Sequence, residues 1–103
     1  MGIVMRIIQQ FDPAHENDFM VLEEKFHELE RNRQDYPKGK RMQPISGHEP
    51  ANTLVWQYEF PDLDAAYKTL SFFSGDMGHE ELFRKQVIYI KQVKIEFYKT
   101  LDF

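Results

Sequence analysis

Residues 54–60 read Leu-Val-Trp-Gln-Tyr-Glu-Phe and form the clearest structural pattern in the chain. Large apolar or aromatic side chains occupy every second position: Leu54, Trp56, Tyr58 and Phe60. A period of two residues predicts a β-strand with one buried face. The ring area on that face has two interpretations, because aromatic side chains fill small cores and also line ligand pockets.

The segments around this strand predict three more strands. Residues 3–11 and 87–98 alternate between apolar and polar positions in the same way. Residues 41–46 also have strand character, but Pro44 interrupts them. Proline cannot donate a hydrogen bond to a neighbouring strand, so this segment is predicted at a sheet edge or a bulge.

Helix-start signals separate the strands. Asp12-Pro13 precedes a helix that is expected to end near Gln34, and Pro61-Asp62 precedes a second one. Asp76 is suited to cap a short further helix through about Gln86. Apolar stripes with a helical period mark the first two helices, at Phe19, Leu22, Phe26 and Leu29 and at Leu63, Ala66, Tyr67, Leu70 and Phe73. The acidic residues of the first helix, Glu23 and Glu30 among them, are predicted to face solvent.

The order strand, helix, strand, strand, helix, strand predicts a ferredoxin-like α+β fold, βαββαβ, with a four-stranded antiparallel sheet. At 103 residues the chain is predicted to be one domain, residues 1–103.

Composition narrows the function classes. A net charge of −4 argues against nucleic-acid binding. The basic cluster Lys38-Gly39-Lys40-Arg41 fits an anion site or, preferably, a solvated loop. There is no cysteine, which excludes disulfides and thiolate metal sites, and no apolar run long enough for a membrane span. A cytoplasmic protein with no membrane partner is therefore expected.

The two faces of the predicted sheet differ in character. Helices should cover the more apolar face, which carries Ile3, Met5, Ile7, Trp56, Tyr58, Val93 and Ile95. The reverse face carries Val4, Ile8, Val55, Ile88, Ile90 and Tyr98. An apolar patch of that size predicts a homodimer that buries it. The alternative is a monomer with a half-wet sheet, because Arg6, Gln57, Glu59, Lys94 and Glu96 interrupt the patch.

The run at residues 52–60, followed by Asp62-Leu63 and Ala65-Ala66, resembles the NIPSNAP-like branch of the dimeric α+β barrel superfamily. Asp76 and Leu82-Phe83-Arg84-Lys85 extend the likeness, which is best in the C-terminal half. The resemblance implies two sheets packed face to face in a dimer. Relatives so implied include cofactor-free monooxygenases of the antibiotic-biosynthesis type, haem-degrading enzymes and lactone isomerases.

The resemblance also implies a pocket between the sheet and the helices. Its expected lining is Trp56, Tyr58, Tyr67, Phe72 and Phe83, which would suit a small apolar or aromatic ligand. Ordinary core packing is the alternative for each of these rings.

His79 and Arg6 are the candidate catalytic residues. His79 lies in a glycine-flanked segment near the expected pocket mouth and could transfer protons, although a solvated histidine in a first helical turn fits as well. Haem-degrading relatives pair an Asn on the first strand with a Trp and a helical His; this chain offers Gln9 or Gln10, so haem binding is not expected. No metal-binding or cofactor motif occurs, and no cofactor is expected.

Three functions remain open. The first is a small-molecule-binding barrel. The second is a cofactor-independent monooxygenase or isomerase acting on an aromatic or quinone-like compound, with His79 or Arg6 assisting proton transfer. The third is an interaction module whose role is assembly.

Overall fold

Four strands and three α-helices make up the part of the chain that the computed structural model describes, residues 2–103. In chain order they are β1 (Ile3–Phe11), α1 (Glu16–Asn32), β2 (Lys40–Met42), β3 (Thr53–Phe60), α2 (Leu63–Gly75), α3 (Met77–Gln86) and β4 (Ile90–Lys99). Short 3-10 helices at Pro13–His15 and Val87–Tyr89 lead into α1 and β4.

The sheet has the strand order β2-β3-β1-β4, and every neighbouring pair is antiparallel. Ile7 at the centre of β1 lies opposite Trp56 of β3 on one side and Ile95 of β4 on the other. This order confirms the predicted ferredoxin-like α+β fold.

The three predicted capping aspartates each accept a backbone hydrogen bond at a helix start. Asp12 accepts from Ala14 N over 3.0 Å, and Asp62 accepts from Ala65 N over 2.8 Å. Asp76 accepts from the first turn of α3. A cap of this kind satisfies one of the otherwise free N–H groups of the first turn. The helix starts are therefore encoded locally.

The helices cover one face of the sheet, which we call the inner face. Its main cluster joins Met5 and Trp56 to Ala66 and Phe73 of α2, and Tyr36 closes the cluster from the loop after α1. A second cluster packs Phe11 and Leu54 against Phe19 of α1. Burial of each large side chain stabilises the fold by about 1.5–3 kcal/mol.

The last strand begins later than the alternation predicted. Val87–Tyr89 forms a 3-10 turn that carries the chain from α3 into the sheet, and Ile88 on this turn is 74% exposed. The register between β1 and β4 shifts after Gln10, so that Ile90 lies opposite Phe11. Ile90 therefore packs on the second cluster of the inner face, that of Phe11, Phe19 and Leu54. The prediction that Ile88 and Ile90 share the reverse face is therefore wrong.

No helix formed by residues 2–103 covers the reverse face, which we call the outer face. Its side chains make several polar contacts. Arg6 Nε donates to Gln57 Oε1 over 2.8 Å, and the Arg6 guanidinium lies 5.0 Å from the centre of the Tyr98 ring. Lys94 Nζ reaches Glu49 Oε1 of the β2–β3 loop at 2.7 Å. Ile8, on the same face, is only 5% exposed. The apolar area left open on this face is thus smaller than the sequence pattern suggested.

Within residues 2–103, none of the helices combines the length and the apolar character that crossing a membrane requires.

Candidate functional site

A cavity of about 450 Å3 lies between the inner face of the sheet and the helices. Its volume is within the range of small-molecule pockets. Every strand and every α-helix contributes to its lining, which comprises Ile7, Gln9, Glu23, Phe26, Glu30, Tyr36, Arg41, Trp56, Leu70, Phe73, Ser74, His79, Glu80, Phe83, Gln86, Val93 and Ile95.

The cavity opens toward β4. Val93 and Ile95 of this edge strand point to the helix side but remain 45% and 44% exposed. Phe83 of α3 is also partly exposed beside them. The helices therefore leave the inner face of β4 half uncovered, and the cavity is open to solvent there.

A buried ion triad forms one wall of the cavity. Arg41 Nε donates to Glu23 Oε2 over 2.6 Å, and both terminal nitrogens of Arg41 donate to the carboxylate of Glu30. Both glutamate side chains are 8% exposed. Burial opposes the charge on Arg41, but hydrogen bonds to Glu30 and the charge of Glu23 outweigh it, and the pKa of Arg41 is raised. Arg41 is thus held as a cation between two acids.

Three further groups complete the hydrogen bonding of the triad. Trp56 Nε1 and Gly39 N donate to Glu30 Oε1 over 3.4 Å and 3.3 Å. Gln86 Nε2 donates to Glu23 Oε1 over 2.9 Å. These bonds connect β2, β3, α1 and α3, so the triad fixes the shape of the cavity as well as its charge.

Trp56 belongs both to the core and to the lining of the cavity. Its ring packs edge-on against Phe73 in the core, with 6.0 Å between ring centres, while it also lines the cavity. Its N–H reaches Glu30 at the cavity wall. A buried indole needs such a partner for its single donor.

His79 lies between aromatic rings at the cavity. Its imidazole stacks on Phe73 at 4.9 Å between ring centres and lies 5.1 Å from the Phe26 ring. Nδ1 is buried and has no hydrogen-bond partner among residues 2–103; Glu80 Oε1 lies 3.6 Å away, too far for a hydrogen bond. Burial lowers the pKa of His79 despite the opposing effect of Glu80. The imidazole is therefore neutral at neutral pH.

Asp76 sets the position of His79. Its Oδ2 accepts from Tyr36 Oη over 2.6 Å and from His79 N over 3.2 Å, and Arg33 Nη1 lies within 2.9 Å of both carboxylate oxygens. The hydrogen bond from Tyr36, supported by the bonds from Arg33 and His79 N, lowers the pKa of Asp76. This capping network ties the start of α3 to the loop that follows α1.

The predicted site residues separate into two groups. Trp56, Phe83 and His79 line the cavity. Arg6 lies on the outer face, because β1 alternates and Arg6 pairs with Gln57 there. The sheet therefore separates Arg6 from His79.

Three of the predicted pocket rings also lie outside the lining. Tyr58 shares the inner face with Trp56 but packs edge-on against Phe60. Tyr67 lies over Phe97, and Phe72 packs against Tyr36. The alternation identified the face correctly, but it could not show where along the face the helices leave space.

The residues of the ion triad were assigned to solvent by the sequence, and that prediction is wrong. Glu23 and Glu30 are seven residues apart, two helical turns, so they lie on the same side of α1 as Phe26. This spacing was the available signal. Arg41 had none, since its partners lie 18 and 11 residues before it, on α1, and meet it only in the folded chain.

In the described part of the chain, no group of three or more potential ligand side chains converges as a metal site.

No protein-family model and no curated protein sequence matches the chain. Solved structures match over nearly its whole length. A NIPSNAP family protein from Agrobacterium tumefaciens superposes with a TM-score of 0.82 at 12% identity, covering 100% of this chain and 96% of that one. An uncharacterised NIPSNAP domain protein from Burkholderia xenovorans gives a TM-score of 0.79 at 14% identity, covering 100% and 97%.

A third structure, a candidate antibiotic biosynthesis monooxygenase from Nitrosomonas europaea, has a TM-score of 0.71 at 10% identity and covers 98% and 91% of the two chains. Identities this low show the fold alone. The chain thus has the fold of NIPSNAP family proteins and of antibiotic-biosynthesis-monooxygenase-like proteins, which confirms the predicted resemblance.

Proposed function

We propose that this protein binds a small organic molecule with an apolar or aromatic body in the cavity between the sheet and the helices. The observation that carries the proposal is the cavity itself, about 450 Å3 in volume and walled mostly by apolar and aromatic side chains. Ligand pockets share this composition, with a few polar groups that orient the ligand.

The cavity is larger than a packing defect. Protein interiors are packed to crystal density and contain few voids larger than a water molecule. Here the ion triad links Arg41 of β2 to α1 at the cavity wall, and the Asp76 network links the start of α3 to the loop after α1. Bracing of this kind keeps a pocket open in the absence of a ligand.

A thermal-shift screen of small apolar and aromatic compounds tests the proposal, because a ligand of the folded state raises the melting temperature. Val93→Trp places an indole at the cavity opening and should abolish the shifts. Ile88→Trp adds the same ring at an exposed position outside the lining and should leave them unchanged. If no compound shifts the wild type, or if Val93→Trp responds equally, cavity binding is contradicted.

We also propose that the chain forms a homodimer through the outer face, as the fold suggests. No helix covers this face in the described residues, and Tyr98 on it is half-exposed. The apolar tail residues Leu101 and Phe103 follow β4 and are exposed as well. Sedimentation at micromolar concentration should show twice the chain mass, and Tyr98→Glu should shift the distribution toward monomer. A wild-type monomer at that concentration would contradict the dimer.

One observation favours a second function, proton-transfer catalysis by a cofactor-independent monooxygenase or isomerase. His79 lines the cavity, burial lowers its pKa, and a neutral imidazole there can accept a proton from a bound substrate. Oxygen uptake with quinols and anthrone-like compounds is the assay. Loss of turnover in His79→Gln, with activity kept in the exposed-loop control His48→Gln, would support catalysis. Equal turnover in the two variants would remove His79 from that role.

A further inference from the structure

The charged residues of the cavity lining are unbalanced. Three carboxylates, those of Glu23, Glu30 and Glu80, face the cavity against one guanidinium, that of Arg41. Arg41 is the single Lys or Arg side chain in the lining formed by residues 2–103. The walls therefore carry an excess of negative formal charge.

The three guanidinium nitrogens of Arg41 already donate hydrogen bonds within the triad. Its Nε and both terminal nitrogens donate to Glu23 and Glu30. An anionic ligand could bind Arg41 only by displacing one of these carboxylates, and this would leave a buried acid without its partner. Such an exchange is strongly unfavourable at a site shielded from water.

The uncharged part of the lining also favours a ligand with a positive charge. Phe26 and the partly exposed Phe83 line the cavity beside the neutral imidazole of His79. Ring faces attract cations, and the attraction grows when the cation is removed from water. A neutral imidazole also offers one nitrogen as a hydrogen-bond acceptor.

We infer that the ligand is an organic cation, a protonated amine attached to an apolar or aromatic body. The inference rests on the proposed function and names the ligand class of the same cavity. The ammonium group would lie against the acidic side chains and ring faces, while Ile7, Leu70 and Ile95 would contact the apolar body.

Three compounds that share a phenylbutyl body and differ in the head group test the charge preference directly. We expect phenylbutylamine to bind the wild-type protein about tenfold more tightly than phenylbutanol in calorimetry at neutral pH, and phenylbutyrate to bind most weakly. Equal affinities, or tightest binding of the carboxylate, would overturn the inference while leaving small-molecule binding intact. Failure of all three compounds to bind would contradict the proposed function as well.

Glu80 provides a variant that does not threaten the fold, because its side chain is 43% exposed at the rim of the cavity. Glu80→Gln should weaken phenylbutylamine binding about threefold to fivefold and leave phenylbutanol binding unchanged. Glu81→Gln is the matched control: it removes the same charge one residue later, on a side chain outside this lining. If the two variants weaken the amine equally, the effect is one of net charge and the assignment of the ammonium group to the cavity is wrong.

Discussion

The indole nitrogen of Trp56 donates a hydrogen bond to Glu30 Oε1 over 3.4 Å, although the two residues are 26 positions apart. One partner belongs to the strand with the most aromatic residues and the other to a helix rich in charged residues. The hydrogen bond therefore joins the hydrophobic core, through Trp56, to the polar wall of the cavity, through Glu30.

Arg41→Met should destabilise the protein by about 3–5 kcal/mol, because it leaves Glu23 and Glu30 buried together without their cation. Urea unfolding gives the free energy of unfolding directly. Arg84→Met, at an exposed position without an ion-pair partner in the described residues, should change it by less than about 0.5 kcal/mol. A small effect at Arg41 would mean that the triad contributes little to the fold.

Gly39→Ala should destabilise the protein by about 1–3 kcal/mol, since a methyl group there would overlap the indole of Trp56. Gly75→Ala is the control. It meets nothing within 4 Å at the last residue of α2 and should be neutral or slightly stabilising. Thermal melts followed by circular dichroism compare the two variants. Equal melting temperatures would refute close packing of Gly39 on Trp56.

Thr53→Val should stabilise the protein by about 1 kcal/mol. The Thr53 hydroxyl is fully buried and lacks a hydrogen-bond partner within residues 2–103, so its removal relieves an unsatisfied polar group while the side-chain shape is kept. Thr53→Ser keeps the hydroxyl, loses the methyl group and should be destabilising. Urea unfolding of both variants is the measurement, and a destabilised Thr53→Val would indicate that the hydroxyl is bonded in solution.

The stability of the wild type should fall as the pH drops below about 6.5, in the range above the titration of carboxylates. Burial lowers the pKa of His79 in the folded state. As the pH falls, the unfolded chain therefore binds a proton at His79 before the folded chain does, and the free energy of unfolding decreases. His79→Phe should flatten this part of the profile.

His48→Gln, which changes an exposed loop histidine, should leave the profile unchanged. Unfolding free energies of the wild type and both variants, measured between about pH 5 and pH 8, test whether His79 causes the pH dependence. An unaltered slope in His79→Phe would show that the imidazole is solvated in the folded protein.

Local signals explain what the sequence could predict. The aspartate caps and the alternation around Trp56 depend on neighbours within a few residues, and such signals predicted the order of the elements, the helix starts and the α+β fold correctly. The start of β4 was misplaced because Val87–Tyr89 alternates like a strand but has to turn the chain out of α3.

The site was harder to predict because its polar residues find partners far along the chain. Charged residues are assigned to solvent by default, and Arg41 reaches Glu23 and Glu30 only after β2 has docked on the sheet. His79 was selected for its position in the sequence, but its aromatic surroundings depend on how α1 and α2 pack.

Trp56 is the only tryptophan of the chain and touches the core, the triad and the cavity at once. The protein therefore contains a single indole fluorophore, and it lies in the lining of the cavity where a ligand is proposed to bind. Its emission wavelength and intensity would report ligand binding in the cavity without an added label, because no second indole contributes to the signal.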